Sequence, residues 1–141
     1  MARALIALGG NVGDVRGTFR KAIAQICGMA QAALLARSPD YATPPWGEER
    51  QPPFVNACIE IDTGLDPHAL LSALHRIEEK FGRDRTRERH WGPRTLDLDL
   101  LAYDDVRLNE PELTLPHPRL VERAFVLVPL AEIAPDRIIA G

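Results

Sequence analysis

Two segments with helical periodicity alternate with strand-like segments along this chain, and their order limits the fold more than any other feature. The first helix is predicted to begin at the N-cap Asp14 and to end at Gly28. The second begins at Asp66-Pro67, an N-cap followed by a proline at the first helical position, and ends at Gly82. Their apolar faces comprise Phe19, Ala22, Ile23, Ile26 and Cys27 in the first helix and Leu70, Leu71, Leu74, Ile77 and Phe81 in the second.

Four segments are predicted to be strands, namely residues 3–8, 31–38, 54–62 and 95–103. Together with the helices they give the order β-α-β-β-α-β, which is the ferredoxin-like pattern. In that arrangement the helices pack on one face of an antiparallel sheet, so the expected fold class is α+β. The proline-rich residues 39–53 are predicted to form a long loop, because residues that precede proline favour extended or turn geometry.

The last third of the chain has a less regular pattern. A short strand is predicted at residues 106–108, and prolines punctuate residues 109–118. The apolar segment 120–132 has helical character, although Pro129 opposes a continuous helix. No repeat or linker divides the chain, so we expect a single domain over residues 1–141 with its own hydrophobic core.

The composition favours a globular protein that binds a small anion rather than a long polyanion. Hydrophobic residues make up 45% of the chain and charged residues 26%, with a net charge of only −3. That charge favours neither a nucleic-acid partner nor a membrane surface. Cys27 and Cys58 are isolated in apolar segments, so buried free thiols are expected. Because no apolar run resembles a signal peptide or a membrane span, the expected compartment is the cytoplasm.

An arginine-rich loop followed by two aspartates predicts a site for phosphate and metal ions. Five arginines lie within residues 83–94, and arginine binds phosphate oxygens in bidentate geometry. In the strand that follows, Asp97 and Asp99 share one face, with Cα atoms about 6.5–7 Å apart. Carboxylates that close repel unless a cation or a proton intervenes, and Mg²⁺ prefers oxygen ligands. The alternative is a solvated loop beside the wet face of a strand; the combination of both features favours the metal–phosphate interpretation.

Several further motifs, taken together, resemble one family of enzymes. They are LGGN near the start, TPPWG, QPPFVNA, WGPRTLDLDLL, LPHPRL and RAFVLVPLAEIAP. In register across nearly the whole chain, they resemble the 6-hydroxymethyl-7,8-dihydropterin pyrophosphokinases of folate biosynthesis. The resemblance implies an ATP-dependent enzyme that transfers pyrophosphate to the hydroxymethyl oxygen of the pterin and releases AMP. We also expect the protein to be a monomer. It also implies a ferredoxin-like fold, two Mg²⁺ ions, and substrate-closing loops at residues 9–14, 44–53 and 83–93.

The same resemblance assigns roles to individual residues. The implied catalytic residues are Arg83, Arg94, Asp97 and Asp99, and the two aspartates are also the implied metal ligands. The implied ATP-binding residues are His75, Glu78, Arg83, Arg94, Leu98, Leu113, Thr114, His117 and Arg123. The implied pterin-binding residues are Thr43, Pro44, Trp46, Phe54, Asn56, Asp97 and Phe125. No general base is evident, although Asp97 is a candidate proton acceptor.

Simpler roles are open for several of these residues. On pattern alone, Phe54 and Phe125 lie in apolar runs typical of a core, and a loop histidine such as His117 is usually a surface residue. Two other kinds of protein are also open. A nucleotide-sensing domain would need the arginines but not both aspartates together with an aromatic slot. An RNA-binding ferredoxin-like domain would need a wide basic face, which a net charge of −3 does not favour.

Overall fold

The computed structural model describes residues 1–43, 52–82 and 95–118, together with the single positions 129, 131 and 133. Two helices and seven strands are formed in these ranges. They are β1 (Ala2–Gly10), α1 (Val15–Met29), β2 (Ala32–Arg37), β3 (Tyr41–Thr43), β4 (Phe54–Thr63), α2 (Pro67–Lys80), β5 (Asp97–Tyr103), β6 (Leu108–Asn109) and β7 (Thr114–Leu115). Within the described ranges, no helix has the length and apolar character that a membrane crossing needs.

The main sheet has the strand order β2-β4-β1-β5, with β3 also paired to β4. Every pairing in it is antiparallel. β1 and β2 lie on either side of β4, and α1 makes the crossover between them, while α2 makes the corresponding crossover from β4 to β5. This is the split β-α-β arrangement of a ferredoxin-like domain. The predicted α+β fold class and element order are confirmed.

One strand lies inside the segment that the sequence predicts to be a loop. Tyr41–Thr43 forms β3 and extends the edge that β2 begins, because both strands pair with β4. The interruption between them is bridged by Ser38, whose backbone N–H donates to the Cys58 carbonyl and whose Oγ accepts from the Cys58 N–H, both at 2.9 Å. The loop prediction is therefore wrong at residues 41–43, where prolines on both sides conceal a three-residue strand that pairing with β4 stabilises.

Both helices begin where the sequence predicts. The carboxylate of Asp14 accepts from the Gly17 N–H at 3.1 Å, and that of Asp66 accepts from the Ala69 N–H at 2.8 Å. Gly82 ends α2 with a left-handed φ of +87°. In contrast, α1 continues past Gly28, because the hydrogen bond from the Ala30 N–H to the Ile26 carbonyl, at 2.9 Å, closes one more turn.

The sheet has a hydrophobic cluster on each face. The larger cluster joins alternate residues of the central strands to the apolar faces of α1 and α2, and includes Phe19, Ile26, Leu74 and Ile77. The smaller one, on the opposite face, consists of Leu5, Ala7, Cys58, Leu101 and Ala102, with Ile133 packed against it. The cysteines are free, with Cys58 buried and Cys27 half-buried.

Near the end of the described chain, β6 and β7 form a small hairpin in which Leu108 pairs with Leu115. The strand predicted at residues 106–108 thus begins later than expected, and its partner lies within the proline-punctuated segment. Of the predicted helical segment 120–132, only positions 129 and 131 are described. Both are helical, as is Ile133.

Candidate active site

Antiparallel register brings three of the predicted site residues to one face of the sheet. Gly9 of β1 pairs with Asn56 of β4 on one side and with Asp97 of β5 on the other. In the adjacent row Ala7 pairs with Asp99. Directly paired residues point to the same face, and alternate residues along a strand do as well. Asn56, Asp97 and Asp99 therefore share the face opposite α1 and α2.

A small open cavity lies on this face. It is lined by Ala7, Leu8, Gly9, Asn56, Ala57, Asp97 and Asp99. All of these residues belong to β1, β4 and β5, so the floor of the cavity is rigid sheet rather than loop. Asp97 and Asp99 are half-buried, and together they offer an all-oxygen donor set of the kind that Mg²⁺ prefers.

Gly9 keeps the floor of the cavity free of side-chain atoms between the amide and the carboxylate. A Cβ atom at this position would lie 3.2 Å from Asn56 Oδ1 and 4.0 Å from Asp97 Cβ. Asn56 is only 8% exposed, so its amide has little room to move away. The sequence predicts a strand that ends at residue 8 and a substrate-closing loop at residues 9–14; this is wrong at Gly9 and Gly10, because pairing with β4 extends β1 through both glycines. Glycine within a strand often marks a place where another group approaches the backbone closely.

The strand that carries both aspartates is supported along its outer edge. The backbone N–H of Leu98 donates to Glu78 Oε2 at 2.8 Å, and Glu78 is 1% exposed. Further along, the His117 N–H donates to the Leu101 carbonyl at 2.8 Å. β5 is an edge strand of the described sheet, and these two contacts satisfy outward backbone groups that an unpaired edge leaves open. Glu78 thus fixes the position of β5 midway between Asp97 and Asp99.

The cysteine beside the cavity has no nucleophilic role. Cys58 pairs with Ala7, in the row that also contains Asp99. Burial raises the pKa of the Cys58 thiol to about 12. Because the thiolate is the nucleophilic form, a thiol with that pKa is inert near neutral pH.

Comparison with known proteins settles the family. The model of the family described as 7,8-dihydro-6-hydroxymethylpterin-pyrophosphokinase (HPPK) matches residues 5–135. The chain belongs to this family. It is 48% identical over 141 residues to the 2-amino-4-hydroxy-6-hydroxymethyldihydropteridine pyrophosphokinase of Methylorubrum extorquens, a match that covers 100% of this chain and 88% of the relative. A protein of the same description from Bacillus subtilis is 45% identical over 130 residues, covering 92% of this chain and 77% of the relative.

Solved structures of the HPPK family have the same fold. A crystal structure described as HPPK-DHPS in complex with substrates superposes with a TM-score of 0.73 over 99% of this chain, at 14% identity. Plasmodium falciparum HPPK-DHPS, crystallised with SDX-DHP, gives a TM-score of 0.71 over the same share, also at 14% identity. The chain spans 41% of each of those longer proteins. At that identity the likeness establishes the fold alone.

The structure brings part of the predicted HPPK site together. On the pterin side, Phe54 pairs with Thr43 of β3 and lies two residues before Asn56 on the same face of β4. On the nucleotide side, Leu98 and Leu113 are buried in the helix-side cluster, so any contact they make with ATP would use their backbone. His75 lies one turn before Glu78 on α2, and Thr114 is half-buried in β7.

Six predicted site residues lie outside the described residues, and their roles stay predictions. They are Pro44, Trp46, Arg83, Arg94, Arg123 and Phe125. Most residues of the two predicted substrate-closing loops, 44–53 and 83–93, also lie outside the described residues. The described part of the site is therefore the sheet floor with Asn56 and the two aspartates, together with the Glu78 contact that supports β5.

Another group of metal-ligating side chains lies elsewhere on the surface. Among the described residues, His68, Glu110 and Glu112 have ligand atoms within 4.8 Å of one another. His68 Nε2 lies 3.1 and 3.3 Å from the two carboxylate oxygens of Glu110. A hydrogen bond between two exposed side chains accounts for this contact without a metal.

Proposed function

We propose that this protein transfers the pyrophosphoryl group of ATP to 6-hydroxymethyl-7,8-dihydropterin, yielding the pterin diphosphate and AMP for folate biosynthesis. The observation that carries the proposal is the row formed by Asn56, Gly9 and Asp97, with Asp99 in the adjacent row, on the floor of one cavity. In this arrangement the neutral side-chain amide of Asn56 lies next to the carboxylates of Asp97 and Asp99. This is the combination that a site for a flat heterocycle and a polyphosphate requires, in a chain that belongs to the HPPK family.

The pterin ring is proposed to lie at the Asn56 end of the cavity. The Asn56 side chain has both a donor and an acceptor, which match the alternating donors and acceptors of a pterin edge. Phe54 lies on the same face and is half-buried, so its ring can stack on the heterocycle. Thr43, Pro44, Trp46 and Phe125 are proposed to complete this half of the site.

The triphosphate is proposed to lie at the Asp97–Asp99 end. Both carboxylates line the cavity, and we propose that they hold two Mg²⁺ ions. When bound, Mg²⁺ would withdraw negative charge from the phosphate oxygens. Arg83 and Arg94 are proposed to stabilise the remaining charge by hydrogen bonds that strengthen as it redistributes. The nucleotide is proposed to contact His75, Glu78, Leu98, Leu113, Thr114, His117 and Arg123.

The reaction is an in-line attack of the hydroxymethyl oxygen on the β-phosphorus. The new bond joins that oxygen to the β-phosphorus, and the bond from the β-phosphorus to the oxygen bridging it to the α-phosphorus breaks, so that AMP leaves. The hydroxyl proton has to depart in the same step. Asp97 and Asp99 are the titratable side chains among the described residues that line the cavity. Asp97 is closer in register to Asn56, and we propose it as the proton acceptor.

Three further features complete the proposal. ATP is proposed to bind first, because its phosphates form part of the site into which the hydroxymethyl group points. The protein is proposed to act as a monomer in the cytoplasm. Its partners are the two small-molecule substrates rather than nucleic acid or membrane, which the net charge of −3 supports.

The direct test is to incubate the purified protein with ATP, Mg²⁺ and 6-hydroxymethyl-7,8-dihydropterin and to separate the nucleotide products. The proposal predicts AMP that forms only when the pterin is present, an equal amount of pterin diphosphate, and no product in excess EDTA. Formation of ADP would instead indicate transfer of a single phosphoryl group. ATP binding without turnover would indicate a nucleotide-sensing domain.

A further inference from the structure

Asn11, the residue that follows β1, contacts a distant part of the chain through its side chain. It is 3% exposed, and its Nδ2 donates to the carbonyl oxygen of Pro52 at 3.0 Å. The two residues are separated by 41 positions. Nothing in the proposed reaction uses Asn11, although it closes the LGGN motif at the start of the chain.

The contact lies just beyond the end of the backbone pairing between β1 and β4. The ladder between β1 and β4 ends where Gly10 pairs with Val55. Immediately before β4 come Pro52 and Pro53, and proline has no N–H with which to continue a ladder. The side-chain amide of Asn11 instead joins the end of β1 to the Pro52 carbonyl, beyond the last paired residues.

This contact determines how the chain enters β4. Pro52 lies two residues before Phe54 and four before Asn56. The intervening Pro53 has a fixed φ, so little slack separates the Pro52 carbonyl from the first residues of the strand. A shift of Pro52 would therefore be transmitted along β4 to Phe54 and Asn56.

We infer that Asn11 is a positioning residue for the pterin half of the site, an inference that rests on the proposed function. It acts through Pro52 on Phe54 and Asn56 without contacting the ring itself. The elements proposed for the nucleotide are β5, α2 and β7, none of which is held by this contact. Asn11 therefore affects the affinity for the pterin and not the affinity for ATP.

The test compares Asn11→Ala and Asn11→Asp with the wild-type protein. Both substitutions remove the donor, and Asn11→Asp keeps the shape of the side chain. Asn109→Ala is the matched control, because Asn109 is an exposed asparagine on β6 and is not among the residues that line the cavity. Three quantities are measured for each protein: the KM for pterin at saturating ATP, the Kd for ATP without pterin, and the Tm.

Loss of one hydrogen bond is expected to raise the KM for pterin about three- to tenfold. The Kd for ATP should change less than about twofold, kcat should fall by less than the KM rises, and the Tm of Asn11→Ala should stay within a few degrees. Pro52 is an exposed residue, so water can replace the lost donor in Asn11→Ala, and this variant is expected to fold. In Asn11→Asp a buried carboxylate faces the carbonyl oxygen, so a lower Tm is expected for that variant. Asn109→Ala should match the wild type in all three quantities.

Three results would overturn the inference. One is an unchanged KM for pterin in both variants, and another is an equal loss of affinity for ATP and pterin. The third is failure of both variants to fold, which would make Asn11 a general structural residue. Absence of AMP formation by the wild-type protein is a separate outcome that counts against the proposed function. In that case the Kd for pterin, measured from its fluorescence, still decides the role of Asn11.

Discussion

At the scale of single residues, the site depends as much on a side chain that is absent as on those that are present. Gly9 lies between Asn56 and Asp97 in the same row of the sheet. Any other residue would place a Cβ atom 3.2 Å from Asn56 Oδ1, closer than ordinary van der Waals contact. The backbone of β1 therefore forms the floor on which a flat ligand can rest between the amide and the carboxylate.

The substitution Gly9→Ala tests this role. The new methyl group is expected to displace the Asn56 amide by a few tenths of an ångström and to raise the KM for pterin by about tenfold, since such crowding typically costs about 1–3 kcal/mol. Steady-state kinetics with each substrate varied in turn measures the effect, and the KM for ATP should change much less.

Gly28→Ala is the control for this substitution. A Cβ atom at Gly28 would meet nothing within 4 Å, and the position is inside α1. Alanine there should raise the free energy of unfolding by up to about 1 kcal/mol, and leave both KM values unchanged. An unaltered KM for pterin in Gly9→Ala would contradict the account of the cavity floor.

At the scale of elements, β5 is the strand on which the proposed chemistry depends, and α2 supports it through Glu78. The Glu78 carboxylate accepts the Leu98 N–H at 2.8 Å from a position that is 1% exposed. Helix periodicity predicts that α2 packs on the sheet, but it does not predict that a carboxylate on its buried face contacts the edge of a strand. The resemblance to the HPPK family assigned Glu78 to the nucleotide; the contact with β5 became evident only from the fold.

Glu78→Ala should therefore affect stability and activity together. The variant leaves the Leu98 N–H buried without its acceptor, which costs about 1–3 kcal/mol, and it releases the part of β5 between Asp97 and Asp99. Urea unfolding and AMP formation measure the two effects. Glu78→Gln keeps an acceptor oxygen at the same place and should restore most of the stability; equal destabilisation by both substitutions would contradict a hydrogen-bonding role.

Local sequence signals predict some elements well and others poorly for identifiable reasons. The N-caps Asp14 and Asp66 and the left-handed Gly82 act within one helical turn, so their patterns can be read directly from the sequence. β3 was missed because its three residues, Tyr41–Thr43, are strand only through pairing with β4. The bulge in β5 was missed for a similar reason. It arises because Leu100 pairs with Ile6 while Ala102 pairs with Leu5, leaving Leu101 as the extra residue.

At the scale of the whole molecule, the order of helices and strands was sufficient to predict the ferredoxin-like sheet and the face that the helices cover. Alternation also placed Asp97 and Asp99 on one face correctly. The register between strands was not predictable, because it depends on contacts between distant segments. Register is what places Asn56 and Gly9 beside Asp97, and it also brings Asn11 to Pro52. The roles of Gly9 and Asn11 could therefore be found only in the folded chain.

The buried thiol predicts how the stability of the molecule depends on pH. Burial raises the pKa of Cys58 from 9.0 to about 12. The unfolded chain therefore loses this proton at a lower pH than the folded one, and the contribution of Cys58 to stability, complete below pH 9, is lost between pH 9 and 12. The loss approaches about 1.4 kcal/mol per pH unit.

Cys58→Ala should remove this part of the pH dependence. The pKa of Tyr103 is also raised, by burial and by the charges of Asp104 and Asp66, but that residue is present in both proteins and its effect cancels. Urea unfolding at pH 8, 9 and 10 measures the difference. A difference in unfolding free energy between the two proteins that stays constant over this range would contradict the buried, neutral state of the thiol.

The central claim is that Asp97 and Asp99 form the phosphate-side centre of a pterin pyrophosphokinase. The most direct test is pterin-dependent AMP formation by Asp97→Ala and Asp99→Ala, with Asp105→Ala, an exposed aspartate beyond β5, as the control. The account predicts that each of the first two variants loses at least about a hundredfold in turnover, with the circular dichroism spectrum and Tm of a folded protein, while the control keeps wild-type activity. Near-native turnover in either Asp97→Ala or Asp99→Ala would contradict it.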